Sequence, residues 1–257
     1  MIVIKKFKSI TTSYPIIISK NFLSKELCYK ISEEIRIHNQ FDDTVMGGRN
    51  RINKGSNNFS SFIKKSKNCN KFYRQINNYK FYSFLKNIFE KSKVNKKWII
   101  PKVNKFSKRN FGLQKGKSLV KHKSKKNIVN LDIDFSLSRP GYFREPHRDR
   151  ETRIINFLIY LNTIPKRFGG ALEIYSIKKN LKKNSFEKMR FPKKNKLKLT
   201  KKFSPKIGDS IFFLSSPDSY HGVSRFKPTN KSERVFIYGS FSLNKSVKWL
   251  EKNNNNY

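Results

Sequence analysis

Pro146-His147-Arg148-Asp149 and, after three residues, Arg153-Ile154-Ile155-Asn156-Phe157-Leu158-Ile159-Tyr160-Leu161 decide how the chain is read. The second stretch is short, nearly continuously apolar and rich in β-branched and aromatic side chains, so Thr152–Leu161 reads as a buried strand. Working outward, Ile128–Leu137, Ala171–Ile177, Ser210–Leu214 and Arg234–Phe241 are runs of the same kind, bounded by Gly, Pro, Asn and Ser. Short strands at such spacing are the signature of a multi-stranded β-sandwich or barrel.

Upstream the character differs. Tyr14-Pro15-Ile16-Ile17-Ile18 reads as a short strand, and Ser24 as the N-cap of a helix over Lys25–His38. Leu27, Ile31 and Ile35 fall on one face of that helix, and Cys28 beside them reads as a small core residue. Phe72, Ile76, Tyr79, Phe84 and Ile88 predict a second helix across Lys71–Lys91, and Trp98-Ile99-Ile100 a short strand. Met46–Asn58, with Gly47, Gly48, Gly55 and several Asn, reads as a loop. Lys93–Lys126 is basic and poorly periodic, and His122 between two lysines reads as exposed and inert. Lys178–Lys206 reads as a basic insertion between strands, a solvated loop in preference to a lid or docking arm. The chain thus divides into an N-terminal helical and strand region with a basic loop at 1–126, packing on the core, a β domain at 127–245 with its basic insertion at 178–206, and a C-terminal tail at 246–257. The class is mainly β with N-terminal helices (α+β).

The 257 residues suffice for a real core, and 23 Phe with 11 Tyr argue against disorder throughout. Cys28 and Cys69 are the only cysteines and form no CxxC, which argues against a disulfide framework or a Cys-ligated zinc site and fits a reducing cytoplasm. No run reaches transmembrane length, and the apolar part of the N-terminus is too short for a signal peptide, so a cytoplasmic location without a membrane span is expected. The net charge of +41 favours contact with polyanions in principle. Most of the surplus is Lys accompanied by Asn, Ile, Phe and Tyr, the set an AT-rich coding sequence favours, so charge alone does not assign nucleic acid as a partner.

The chemistry lies in three residues. His147 and Asp149 are two apart, so on a strand both side chains point to one face. His221, in Ser219-Tyr220-His221-Gly222-Val223, precedes the last strand-like run. Two neutral imidazoles and one carboxylate are the ligand set of the facial triad, which leaves iron positions open for substrate-side chemistry. The tripeptide alone would be better read as a surface His beside a salt-bridged Asp; its distant partner and its surroundings change that weighting.

Those surroundings are Gly141-Tyr142-Phe143-Arg144-Glu145-Pro146-His147-Arg148-Asp149, then Arg153 to Asn162, then Phe168-Gly169-Gly170-Ala171-Leu172-Glu173-Ile174-Tyr175. Pro205-Lys206-Ile207-Gly208-Asp209-Ser210-Ile211-Phe212-Phe213 and Tyr220-His221-Gly222-Val223 follow in order. Together, across Leu131–Phe241, they resemble the prolyl 4-hydroxylase-like branch of the 2-oxoglutarate/Fe(II)-dependent dioxygenase superfamily. The resemblance implies a double-stranded β-helix (jelly-roll) core with Fe(II) on His147, Asp149 and His221. It implies 2-oxoglutarate and O2 as cosubstrates, with ascorbate as an optional reductant. The far carboxylate of 2-oxoglutarate needs a buried cation, and a bidentate Arg suits it. Arg234 is the candidate, preferred over Arg225, and it shares a strand face with Phe236 and Tyr238. Tyr160 matches the position of an assisting hydroxyl, and Asn156 lies on the same face as a further candidate to line the cosubstrate pocket. Many members carry a tyrosine upstream of the position matched by Gly141; Asp134-Phe135-Ser136-Leu137-Ser138 offers none, and Ser136 and Ser138 are the candidates to replace it.

The implied activity is hydroxylation of a peptidyl or small amino-acid-like substrate with release of succinate and CO2. Two alternatives stand beside it: an AlkB-like oxidative demethylase acting on nucleic acid, and a non-catalytic basic β-barrel binding module. The substrate and the oligomeric state are not written in the sequence. Glu145 and Arg148 flank the metal motif as further candidate substrate contacts, and Gly169-Gly170 reads as a tight turn into a core strand.

Overall fold

Alternation sorts each long strand into two faces, and both faces are buried. The computed structural model describes residues 7–10, 12–38, 40–45, 48–108, 126–178, 189–229 and 232–252. In chain order the elements begin β1 (Phe7–Ile10), β2 (Ile16–Ser19), α1 (Lys25–His38), β3 (Asp43–Val45), β4 (Arg49–Asn53), α2 (Asn57–Lys65), α3 (Lys67–Ile76) and α4 (Tyr79–Lys91). They continue β5 (Trp98–Ile99), β6 (Lys105–Ser107), β7 (Ile128–Ser138), β8 (Arg144–His147), β9 (Arg153–Tyr160) and β10 (Leu172–Ile177). The last are β11 (Leu197–Phe203), β12 (Ser210–Leu214), β13 (His221–Val223), β14 (Arg234–Leu243) and β15 (Leu250–Glu251).

The larger sheet runs β1-β2-β12-β9-β14-β7-β4-β3, with β6 added in parallel to β7. The smaller runs β11-β10-β13-β8. Phe135, Phe157, Ile159, Val235 and Ile237, the odd positions of β7, β9 and β14, pack with Phe22, Ile31, Phe62, Phe72 and Phe89 from the helical side. The even positions Leu158, Tyr160 and Phe236 instead join Leu172 and Ile174 of the smaller sheet. The larger sheet therefore has helices on one face and the smaller sheet on the other, and each fully buried apolar side chain contributes roughly 1.5–3 kcal/mol to holding the layers. Gly239 on β14 is required by this packing: a Cβ there would lie 2.0 Å from the Phe157 ring.

Three sequence expectations need correction. The helix expected across Lys71–Lys91 is two, α3 and α4. Asn78 breaks the run and caps α4, its side chain accepting from the Phe81 N–H at 2.9 Å. The segment Met46–Asn58 is not a loop: it holds β4, which pairs with β7, and the start of α2. Only Ile52 of β4 is apolar and buried; its polar neighbours bond protein groups on β7, which no hydrophobic pattern reveals. Within Lys178–Lys206, Leu197–Phe203 is β11, paired with β10. It is the outermost strand of its sheet, and lysines there deter edge-to-edge pairing with other chains. Residues 179–188 of that segment, and His122, lie outside the described residues.

Leu250–Glu251 pairs with Trp98–Ile99, and Trp249 meets Trp98 edge-on at 6.1 Å. The described part of the N-terminal region supplies β1, β2, β3, β4 and β6 to the larger sheet. Cys28 and Cys69 are free and buried. Among the described residues no helix is long and apolar enough to cross a membrane.

Candidate active site

β8 and β13 pair so that His147 stands directly opposite His221. This register sets the imidazole centroids 4.5 Å apart. Asp149, two residues past His147 and just beyond β8, completes a cluster whose ligand atoms all lie within 4.8 Å of one another. The Nδ1 of His147 lies 2.9 Å from the Glu145 carbonyl, and that of His221 lies 3.0 Å from the Ser219 carbonyl. Both carbonyls can only accept, so each Nδ1 carries the proton and each Nε2 presents a lone pair toward Asp149, at 4.0 and 3.4 Å. Two Nε2 atoms and one carboxylate converge as a site able to hold a divalent cation.

The carboxylate is held by the neighbouring strands. Arg153 Nη1 on β9 donates to Asp149 Oδ1 at 2.7 Å, and Asn156 Nδ2 donates to Oδ2 at 2.9 Å. Tyr238 on β14 donates its hydroxyl to Oδ2 at 2.8 Å and accepts from Arg153. Asn156, the further candidate to line the pocket, is fully buried, with its side-chain amide bonded to Asp149. Arg153 and Tyr238 escaped the sequence reading. The only signals were the i,i+4 spacing of Arg153 from Asp149 and the even parity of Tyr238 with Arg234.

Burial would raise the Asp149 carboxyl, but Arg153, the two imidazoles and the Tyr238 hydrogen bond outweigh it and hold it well below the usual carboxylate range. Burial, reinforced by the field of His221, lowers His147 to about 3; burial likewise lowers His221. A lowered imidazole pKa keeps the neutral, metal-binding form at acidities where an ordinary His is protonated, so proton competition sets in at lower pH than for two ordinary histidines. Co(II) affinity measured by calorimetry is accordingly expected to change less than about threefold between pH 8 and pH 6, where two ordinary histidines would cost about tenfold or more. A steep loss centred near the ordinary histidine pKa would refute this.

Arg234 lies in the same cavity and is fully buried. None of its three guanidinium nitrogens has a hydrogen-bond partner among the described residues. Its charge rests on the faces of Phe236, at 4.0 Å, and Tyr160, at 5.4 Å. The Tyr160 hydroxyl is buried and also lacks a well-formed hydrogen bond, as does Ser138, which stands opposite Arg234 across the β14–β7 ladder. A buried cation with two unused hydroxyls beside it is a strongly unfavourable arrangement unless an anion completes it. Gly170 makes room for it: its φ is +70°, and a Cβ there would lie 3.1 Å from Arg234 Cδ. Arg225, the rival cation, stacks instead on Phe143 at 4.0 Å. Tyr142, immediately after Gly141, lines the cavity within the electrostatic reach of Arg234, a neighbour not anticipated from sequence.

The cavity has a volume of about 300 Å³, with Leu158, Leu172, Phe213 and Phe236 as apolar walls. Of the flanking candidates, Arg148 is buried and donates to the Pro217 carbonyl at 3.2 Å, and neither it nor the exposed Glu145 lines the cavity.

Residues 133–241 match the family described as the 2OG-Fe(II) oxygenase superfamily. No curated protein matches the chain. A prolyl-4-hydroxylase from Pseudomonas putida superposes over 89% of this chain and 92% of its own, with a TM-score of 0.50 at 14% identity. A Phytophthora capsici prolyl 4-hydroxylase matches over 88% of this chain and 58% of its own, with a TM-score of 0.50 at 12% identity. At these identities the likeness speaks for a shared, mostly β fold. The family match spans the strands and turns that bring His147, Asp149, His221 and Arg234 into one cavity, so this stretch of the chain is similar to the 2OG-Fe(II) oxygenase superfamily.

Proposed function

We propose that the chain is a hydroxylase whose two sheets form a double-stranded β-helix, with Fe(II) on His147, Asp149 and His221 and the far carboxylate of 2-oxoglutarate on Arg234. The observation that carries this reading is the fully buried Arg234 guanidinium, unpartnered in the cavity that also holds the triad. The residues present fit both groups: neutral Nε2 atoms and a held carboxylate suit a divalent cation, and an orphaned guanidinium beside two hydroxyls suits a carboxylate. With O2, the bound pair supplies oxidative decarboxylation to succinate and CO2, with transfer of one oxygen atom to a substrate C–H bond.

The chain's own residues do the positioning. Arg153, Asn156 and Tyr238 fix the Asp149 carboxylate, and the Glu145 and Ser219 carbonyls fix the two imidazoles. Arg234, with Tyr160 and Ser138, binds and orients the cosubstrate, while the apolar walls exclude water from the reacting centre. A peptidyl or free amino-acid side chain is the proposed target, supported by the fold shared with two prolyl 4-hydroxylases. The test is succinate formation from 2-oxoglutarate under air, with ascorbate, in the presence and absence of added Fe(II). Iron-dependent succinate release that disappears in His221→Ala is expected; failure to bind both Fe(II) and 2-oxoglutarate would sink the reading.

A further inference from the structure

Iron and 2-oxoglutarate do not account for the charge of the cavity. Fe(II), the 2-oxoglutarate dianion, Asp149 and Arg234 cancel one another. The remaining walls carry Arg49, Arg51, Arg144, Arg150, Arg153 and Arg190 against only Asp132 and Asp134. Three of these arginines are matched: Arg49 and Arg51 lie 2.9 and 3.6 Å from Asp134, and Arg153 lies 3.5 Å from Asp132. Arg144, Arg150 and Arg190 are not, for none has a carboxylate partner among the described residues. They are half-buried, and Arg144 and Arg150 each feel the repulsion of Arg190.

Backbone and ring contacts hold this group together. Arg190 Nε donates to the Arg148 carbonyl at 3.1 Å, and the Arg190 carbonyl accepts from the Arg148 N–H at 2.9 Å. Arg190 and Arg144 flank the Phe191 ring at 5.0 and 5.8 Å. That ring is 55% exposed and stacks on His147, with centroids 6.0 Å apart and planes 17° apart. Arg144 and Arg190 are thus fastened against the metal-binding face, with no carboxylate at ion-pair distance among the described residues.

We propose that Arg144, Arg150 and Arg190 form an anion-binding mouth that takes a carboxylate or phosphate group of the substrate and so holds the C–H bond to be oxidised near His147, Asp149 and His221. This rests on the oxygenase reading above. Planar guanidinium forks match either anion. The arginines converge on one small chamber, which suits a compact anionic side chain or metabolite; a nucleic-acid backbone would call for cations spread along a stripe.

The test uses protein loaded with Mn(II), titrated by calorimetry at low ionic strength with and without 2-oxoglutarate. The probes are N-acetyl-aspartate amide, N-acetyl-phosphoserine amide, neutral N-acetyl-asparagine amide and a short oligothymidylate. At least one anionic amide is expected to bind about tenfold or more tighter than the neutral one, and the two anionic arms tell carboxylate from phosphate. The double variant Arg150→Gln/Arg190→Gln should lose that preference. If its melting curve shows misfolding, the single variant Arg190→Gln, with a partial loss, takes its place. The mouth is refuted by equal binding of charged and neutral amides, by a preference that survives in the folded variant, or by an oligothymidylate that outbinds both anionic amides and is indifferent to the substitutions. Failure to bind 2-oxoglutarate would instead sink the oxygenase reading, while the titrations without it still judge the mouth.

Discussion

Arg234→Met is expected to abolish 2-oxoglutarate binding and yet raise the melting temperature of the metal-free protein. The two effects have opposite signs because one buried charge causes both. With the cosubstrate bound, the guanidinium faces a carboxylate in a site away from water, and truncating one partner of such a pair costs about 2–5 kcal/mol, on the order of 30- to several-thousand-fold in affinity. Without it, the cation is fully buried and its three nitrogens lack hydrogen-bond partners among the described residues. Contacts with Phe236 and Tyr160 recover part of the desolvation cost but cannot replace hydrogen bonds. Methionine fills much of the same volume with no charge to desolvate, so a gain of about 1–4 kcal/mol is expected. Melting curves with and without 2-oxoglutarate read both effects. A destabilised variant that still binds 2-oxoglutarate would show Arg234 to be structural.

The second large effect separates the ligands. His147→Ala and Asp149→Ala should both remove metal-dependent turnover, but only Asp149→Ala should also weaken the metal-free fold strongly. Asp149 accepts from Arg153, Asn156 and Tyr238, and its loss leaves Arg153 buried with Asp132 at 3.5 Å as its remaining carboxylate. Breaking a buried pair from one side costs about 3–5 kcal/mol. Removing His147 frees one backbone carbonyl, at a cost of about 1–3 kcal/mol. Chemical denaturation of the two apo-variants tests this, and equal losses would show that the Arg153 contact carries no special weight.

The core strands were legible because β7, β9, β10, β12 and β14 are buried on both faces, and their apolar runs declare them. The cluster of His147, Asp149 and His221 was legible because each member sits in a short local pattern, although Asp149 lies just beyond β8, where strand parity no longer dictates its side. What could not be read is what depends on neighbours across the sheet. β4 is nearly all polar, and its Arg49 and Asn53 make sense only once Asp134 and Ser136 stand opposite. β11 is mostly lysine because an outermost strand needs little apolar surface. Tyr238 and Arg153 support Asp149 only because β9 and β14 pair in one particular register.

β14 carries Arg234 at its start and Tyr238 four residues on, both on the face toward the smaller sheet. At about 3.4 Å per residue the strand acts as a ruler, separating the proposed cosubstrate anchor from the residue that holds Asp149 by roughly 14 Å. Point substitutions change either mark independently. A single-residue insertion between them moves one mark to the helix-facing side and leaves the other in place, so the reading frame of this strand tolerates exchange of side chains far better than any change in length.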